Sequence, residues 1–307
     1  MLRSLLLRVA RNDGLRRLVT AAPPTKAVVD RFIAGQSVAD GLAAAQRLAE
    51  DGLYATIDVL GEDTTEPAQA EQATQAYLDL LARVPAAGLT GSIDVSLKLS
   101  SLGAALPAGT ETAYINARRI CEAAAAVGAT VTVDAEDHTT LDRMHGIVEQ
   151  LRSEFPGVGL VLQAMLLRTP ADAERFSGPG SRVRLCKGAY DEPAEVAVKQ
   201  RVQVSAAYVA IARTLFHGGG YPMLATHDPE MIAAAEVLAG EAGRSAGDYE
   251  IQMLYGIRTD EQRRLAATGN RVRVYVPCGT DWWCYFVRRL AERPANLLFF
   301  LRALVGR

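Results

Sequence analysis

A chain of 307 residues, 49% of them hydrophobic, can form one large domain with a substantial core or two small ones. Its net charge of -2 leaves no basic footprint for nucleic acid. Cys121, Cys186, Cys278 and Cys284 form no C-x-x-C pair and no zinc-type spacing, and no apolar run is long enough to span a membrane. Reduced thiols in a cytoplasmic protein are the simplest account.

Residues 1–19 place Leu2, Leu5, Leu6 and Val9 on one helical face, with Arg3, Arg8 and Arg11 beside them. The apolar run is too short for a signal peptide, and no clean small-residue cleavage site follows it. A basic amphipathic helix of this kind either packs on its own domain or lies on an anionic membrane surface, and both readings stand. Residues 1–50 are taken as an N-terminal helical arm and residues 51–307 as the main domain.

From there, eight strand-type runs recur: residues 54–60, 93–99, 130–134, 159–166, 183–190, 222–226, 250–254 and 272–276. Several are rich in Val, Ile, Leu and Thr, as buried strands are. Helix-type segments alternate with them, at residues 66–84, 110–126, 137–155, 195–216 and 229–238. In the first, Ala70, Ala73, Tyr77, Leu80 and Leu81 form one stripe. Strand followed by helix, eight times, specifies a (β/α)8 barrel. The rival, a doubly wound sheet, would carry G-x-G-x-x-G after the first strand, and none is present. Gly218, Gly219 and Gly220 precede a strand and read as a flexible turn closing a helix.

Active sites of such barrels lie at the C-terminal strand ends. Those positions hold Lys98; Asp134, with Glu136, Asp137 and His138 beyond it; Gln163; Arg184, Lys187 and Tyr190; Thr226, His227 and Asp228; Gln252, Leu254 and Tyr255; and Tyr275, followed by Gly279 and Thr280. So dense a polar ring is poorly suited to packing alone, because buried polar groups cost free energy unless paired. There is no G-x-S-x-G elbow for a serine nucleophile. His227 beside Asp228 is a conceivable metal ligand, but the other histidines fall in no H-x-H or H-E-x-x-H spacing, and no metal is expected.

The cations are more informative. Arg288 and Arg289 follow Trp282, Trp283 and Tyr285, and a guanidinium pair beside aromatic rings suits a small carboxylate in a partly dry pocket. Together with Arg184 and Lys187 they suit a ligand carrying phosphates and a carboxylate. An arginine beside a flavin also stabilises its reduced, anionic ring. Arg184 and Lys187 can equally pair with Asp134 and Glu136 across strands. An aldolase-type barrel enzyme, with Lys98 or Lys187 as a Schiff-base lysine, is the alternative, and a non-catalytic carboxylate-binding scaffold is a further rival.

Several segments resemble the proline dehydrogenase family. Residues 182–190, RVRLCKGAY, resemble its R-L-V-K-G-A-Y strand, and residues 224–228, LATHD, its F-A-T-H-N strand end. Residues 133–136, VDAE, resemble M-D-A-E. Residues 275–279, YVPCG, and 285–292, YFVRRLAE, resemble the closing Y-x-P-x-G … Y-x-x-R-R-x-x-E block. The blocks keep the family's order over residues 54–296. They are similar to the stand-alone bacterial enzymes, without the DNA-binding and aldehyde dehydrogenase domains of the bifunctional proteins. Cys186 stands where the family usually has Val, Asp228 where it has Asn, and Tyr255 where it often has His.

The resemblance implies a distorted barrel holding non-covalent FAD, with a C-terminal helix over the barrel mouth. Arg288 and Arg289 would take the carboxylate of L-proline. Lys98 and Asp134 would complete the polar side, and Tyr275, Tyr285 and Leu254 would wall the pyrrolidine ring. Arg184 would lie by the flavin N5 and Gln163 by the isoalloxazine. Thr226 and His227 would hold the flavin and its phosphates. Lys187, with Gly188, Ala189 and Tyr190 after it, would form the cofactor side, and Glu292 would tie the closing helix to the flavin. Hydride would pass from C5 of a neutral amine, giving Δ1-pyrroline-5-carboxylate and activity that rises with pH. A quinone is the expected electron acceptor and a separate pyrroline-5-carboxylate dehydrogenase the expected recipient of product. The expected location is the cytoplasm, with the arm a candidate for peripheral contact with the inner membrane face.

Overall fold

Successive side chains of a strand point to opposite faces, and here the two faces differ in kind. Residues such as Ile57, Val95, Val133, Leu160, Leu185, Leu224, Ile251 and Val274 alternate with Thr56, Ser96, Thr132, Arg184, Gln252 and Arg273, all buried. The computed structural model describes residues 29–283 and 285–287. Its strands are β1 (Tyr54–Val59), β2 (Ile93–Leu97), β3 (Thr130–Val133), β4 (Gly159–Gln163), β5 (Arg182–Cys186), β6 (Tyr221–Ala225), β7 (Glu250–Leu254) and β8 (Val272–Cys278). Each is parallel to the next, and β8 returns to β1 in the register Tyr54↔Arg273 through Val59↔Cys278, closing the barrel.

The helices are α1 (Val38–Glu50), α2 (Pro67–Arg83), α3 (Gly109–Ala126), α4 (Leu141–Glu154), α5 (Thr169–Phe176), α6 (Arg201–His217), α7 (Pro229–Glu241) and α8 (Thr259–Ala267). From α2 onward, one follows each strand through β7, as the alternating pattern predicts. The helices cover the apolar strand face. On α2, Ala70, Tyr77, Leu80 and Leu81 are buried, and the Tyr77 hydroxyl donates to the Ser96 carbonyl at 2.5 Å, tying helix to strand. Burial of each such leucine contributes about 1.5–3 kcal/mol. Helix α1 begins with a reciprocal Ser37–Asp40 capping box and buries Leu42, Ala44 and Ala45. A Cβ on its Gly41 would lie 2.8 Å from the Cys278 sulfur, so this end of the expected arm packs on the barrel wall. Residues 1–28 lie outside the described residues.

Several boundaries differ from the sequence expectation. β4 stops at Gln163 and β5 at Cys186, so Gly188, Ala189 and Tyr190 lie in a connection. The segment expected to be helical from residue 137 opens with a 3-10 turn, His138–Thr140, capped by Asp137. Helix α6 starts at Arg201 rather than 195. The Gly218–Gly220 turn closes α6 as expected, but the reason for its glycines is space. Added Cβ atoms would meet Ser177, Pro179 and Ser181 at 2.1–2.8 Å, so the turn is pressed against its neighbour.

Inside the barrel, cross-barrel contacts replace the usual layers of branched aliphatics. Asp94 accepts from the Thr56, Thr130 and Thr132 hydroxyls and from Arg182 and Arg184. Burial pushes the Asp94 carboxyl up, but Arg182, Arg184 and Arg273 outweigh it and bring its pKa down to about 2. Arg273 pairs with Glu250, which also takes a bond from Gln252. The charged interior therefore forms a brace running up to the barrel mouth.

A second apolar cluster sits at that mouth. Phe32, Ile33, Leu60, Trp282, Trp283, Tyr285, Phe286 and Val287 are buried together, with Val29, Ile257 and Tyr275 against them. Trp282 stands edge-on to Trp283 and Phe286, at 5.9 and 5.8 Å between ring centroids. Gly256 is required here. Its φ is +70°, and a Cβ would lie 1.7 Å from the Arg31 carbonyl oxygen, so the chain before α1 crosses directly over it.

Candidate active site

The C-terminal strand ends surround a cavity of about 430 Å³. Of the residues expected to form the site, Lys98, Asp134, Arg184, Lys187, Gly188, Ala189, Tyr190, Thr226, His227, Leu254, Tyr275 and Tyr285 all line it. Arg288, Arg289 and Glu292 lie outside the described residues. Gln163 is not among the lining residues. It is buried, and its Nε2 donates to the Glu136 carbonyl at 2.8 Å.

Arg184 rises from β5 at the cavity floor. Its Nη1 donates to Asp134 Oδ1 (2.8 Å) and Ser96 Oγ (2.7 Å), its Nη2 to Asp94 Oδ2 (3.1 Å) and its Nε to Gln252 Oε1 (2.6 Å). The guanidinium also lies 5.4 Å from the centre of the Tyr275 ring. Burial alone would lower its pKa, but Asp134 and Asp94 outweigh that and raise it. Asp134 uses its other oxygen to accept from the Tyr275 hydroxyl at 2.8 Å. Burial and the nearby Asp134 and Asp58 hold the Tyr275 phenol far above its ordinary pKa, so it stays a donor.

Sequence reasoning missed Asp58. It lines the cavity, and each of its carboxylate oxygens accepts from the Lys98 ammonium at 2.8 Å. Burial raises the Asp58 carboxyl above its usual range against the pull of Lys98, and Asp134 adds to the rise. Burial would strip Lys98 of its proton, but Asp58 and Asp134 outweigh it and the ammonium persists. The signal was present: Asp58 falls two residues after Thr56, on the inward side of β1.

The far wall is built by β5, β6 and their connections. Lys187 Nζ donates to Asp228 Oδ2 and Ser205 Oγ, each at 2.8 Å. The sequence admitted pairs from Arg184 to Asp134 and from Lys187 to Glu136. The first forms, whereas Lys187 turns to Asp228 and Glu136 is held by the Ser100 backbone and hydroxyl. Asp228 also caps α7 through the Glu230 N–H. His227 Nε2 accepts from the Leu254 N–H at 2.8 Å, which leaves the ring proton on Nδ1. His227 is thereby locked between β6 and β7, and Leu254 and Ile257 add an apolar patch. Each described lining cation is matched to a carboxylate: Lys98 to Asp58, Arg184 to Asp134, Lys187 to Asp228.

The sequence profile described as proline dehydrogenase matches residues 41–302, most of the chain. The chain belongs to the proline dehydrogenase family. It is therefore an oxidoreductase of proline catabolism, in a family of flavoenzymes. It is 36% identical to proline dehydrogenase 1 of Bacillus subtilis (strain 168) over 305 residues, 99% of each chain. It is 38% identical to the proline dehydrogenase of Deinococcus radiodurans over 285 residues, 91% of this chain and 90% of that one. The solved structure of proline utilization A from Bdellovibrio bacteriovorus superposes with a TM-score of 0.81 at 22% identity, over 87% of this chain and 33% of that one, and shares the fold. Among the described residues, no helix is long and apolar enough to cross a membrane.

Proposed function

We propose that the cavity binds FAD and L-proline together and oxidises proline to Δ1-pyrroline-5-carboxylate. The observation that carries this reading is the mixed lining of one cavity. Arg184 and Lys187 bring a guanidinium and an ammonium to it, and Leu254, Ile257, Tyr275 and Tyr285 bring aromatic and apolar surface. Such a lining suits a flavin, an amphipathic ring system, and FAD would supply the acceptor for the hydride leaving proline C5. Lys187, Gly188, Ala189, Tyr190, Thr226 and His227 would form its holding side, with Arg184 near N5 and Glu292 at the closing helix. Gln163 would act through the wall, since its amide holds the Glu136 carbonyl.

The substrate's carboxylate needs a cation not already matched. Lys98, Arg184 and Lys187 are each committed to a carboxylate, which favours Arg288 and Arg289 for this role. In the sequence they follow Tyr285, a residue that lines the cavity, by three and four positions. Asp134, fixed by Arg184 and Tyr275, and the Lys98–Asp58 pair would complete the polar side. Tyr275, Tyr285 and Leu254 would exclude water from the ring. The reacting amine must be neutral for C5 to release hydride, so turnover should rise with pH.

A quinone is the acceptor we favour for the electrons. Residues 1–19, with their basic amphipathic pattern, suit loose contact with the cytoplasmic membrane face. Product would pass to a separate pyrroline-5-carboxylate dehydrogenase. The test is direct: the purified protein should be yellow, and L-proline without oxygen should bleach its flavin absorbance. A colourless protein that L-proline leaves unchanged would refute the reading. A borohydride-trapped lysine adduct with a carbonyl substrate would instead favour the aldolase-type alternative.

A further inference from the structure

The connection between β5 and α6 buries one acidic residue that the reaction does not use. Glu192 is 3% exposed, although Asp191, Pro193 and Ala194 around it are exposed. Its carboxylate reaches the turn after β3, where it accepts the His138 N–H at 3.0 Å and lies 2.5 Å from His138 Nδ1. The Lys199 ammonium donates to the Glu192 carbonyl. On its other side the connection is joined by backbone bonds to the segment after β4: Met165 N–H to Lys187 O (3.0 Å), Leu167 N–H to Val196 O (2.9 Å) and Val198 N–H to Met165 O (2.7 Å). Gly188 stands at φ +109°, where a Cβ would meet the Met165 side chain at 2.5–2.8 Å.

We infer that Glu192 is a positioning residue for the cofactor wall. Gly188, Ala189 and Tyr190 line the cavity and belong to a strap without regular secondary structure. The backbone bonds fix the strap on the β4 side, and Glu192 fixes it on the β3 side. Burying a carboxylate costs free energy that its two donors offset, so the segment has one favourable seating. That seating holds residues 188–190 against the ligand. The inference rests on the reading that this wall holds FAD.

Apparent affinity falls in proportion to the population of the competent form, so a strap seated only a tenth of the time raises the FAD Kd about tenfold. Glu192→Ala in the holoenzyme should produce a rise of that order, chiefly through faster flavin release followed by fluorescence. Amide exchange in residues 188–199 should accelerate, and KM for proline should change by less than about twofold, because the substrate side keeps its contacts. Glu192→Gln keeps an acceptor for the His138 N–H and should restore most of the affinity. If Glu192→Ala does not fold, His138→Ala, which removes only the ring partner, should shift release and exchange in the same direction by a smaller factor. A lowered unfolding temperature with unchanged flavin release and unchanged strap exchange would overturn the inference. Wild-type protein that takes up no FAD would sink the cofactor reading, while exchange in the strap would still decide the role of Glu192.

Discussion

Lys98 and Asp58 face each other across the β1–β2 edge of the barrel mouth, both buried, with both carboxylate oxygens 2.8 Å from the ammonium. Such a pair is held in place by the cost of separating it. Removing one partner leaves an uncompensated buried charge, typically a loss of about 3–5 kcal/mol. Lys98→Met and Asp58→Asn should each destabilise the fold strongly in urea unfolding, and the double variant should be less destabilised than the sum of the two. Strict additivity would show that the two groups do not act as a pair.

The barrel was legible because its strands and helices alternate in length and period, and much of the cavity lining because it falls at the strand ends, where this fold places chemistry. The inward brace was not read, although its pattern was visible. In residues 93–98, I-D-V-S-L-K, every second residue is polar, which marks a strand apolar toward the helices and polar toward the axis. Reading those runs as apolar as well as buried hid Asp58, Asp94 and Glu250. Glu192 was hidden for a different reason. Nothing local distinguishes a buried glutamate from its exposed neighbours, and only the fold brings His138 beside it.

Arg288 and Arg289 are predicted to grip the proline carboxylate. Losing one arm of a desolvated charge pair costs about 2–5 kcal/mol, equivalent to about 30-fold to a few thousand-fold in kcat/KM. Arg288→Ala and Arg289→Ala should show losses in that range with near-normal flavin affinity. Retention of wild-type efficiency by either variant would remove that arginine from the clamp.

Tyr275 is predicted to set ring specificity. Its hydroxyl is tied to Asp134 and its ring lies beside Arg184, so the phenol has little freedom to withdraw from a bound ring. The wild type should prefer L-proline over 4-hydroxyproline, and Tyr275→Ser should narrow that preference by opening space for a hydroxyl at C4. Comparing kcat/KM for both substrates on both proteins checks this. Equal efficiency on the two substrates in the wild type would sink the assignment.

His145 should make the fold sensitive to acid. It lies on α4 with 1% exposure, and neither ring nitrogen has a hydrogen-bond partner. The Phe176 ring stands 4.8 Å away, and Asp172 Oδ1 lies 3.8 Å from Nδ1. Burial lowers its pKa below 6.5, against Asp172 and Asp142 and with Arg168 and Arg175. Arg168 holds both carboxylates, at 2.7 Å to Asp142 and 2.8 Å to Asp172, which limits their hold on an imidazolium. The folded protein therefore takes up a proton on His145 at lower pH than the unfolded chain, which does so below about 6.5. The stability contribution is full above that pH and is lost as pH falls below it, at up to about 1.4 kcal/mol per pH unit for one proton. His145→Leu should flatten this limb while leaving the carboxylate contributions common to both proteins. Unfolding free energies measured from about pH 7.5 to about pH 5 decide the matter. Parallel curves for the two proteins would mean that the folded state accepts the proton as readily as the unfolded chain does.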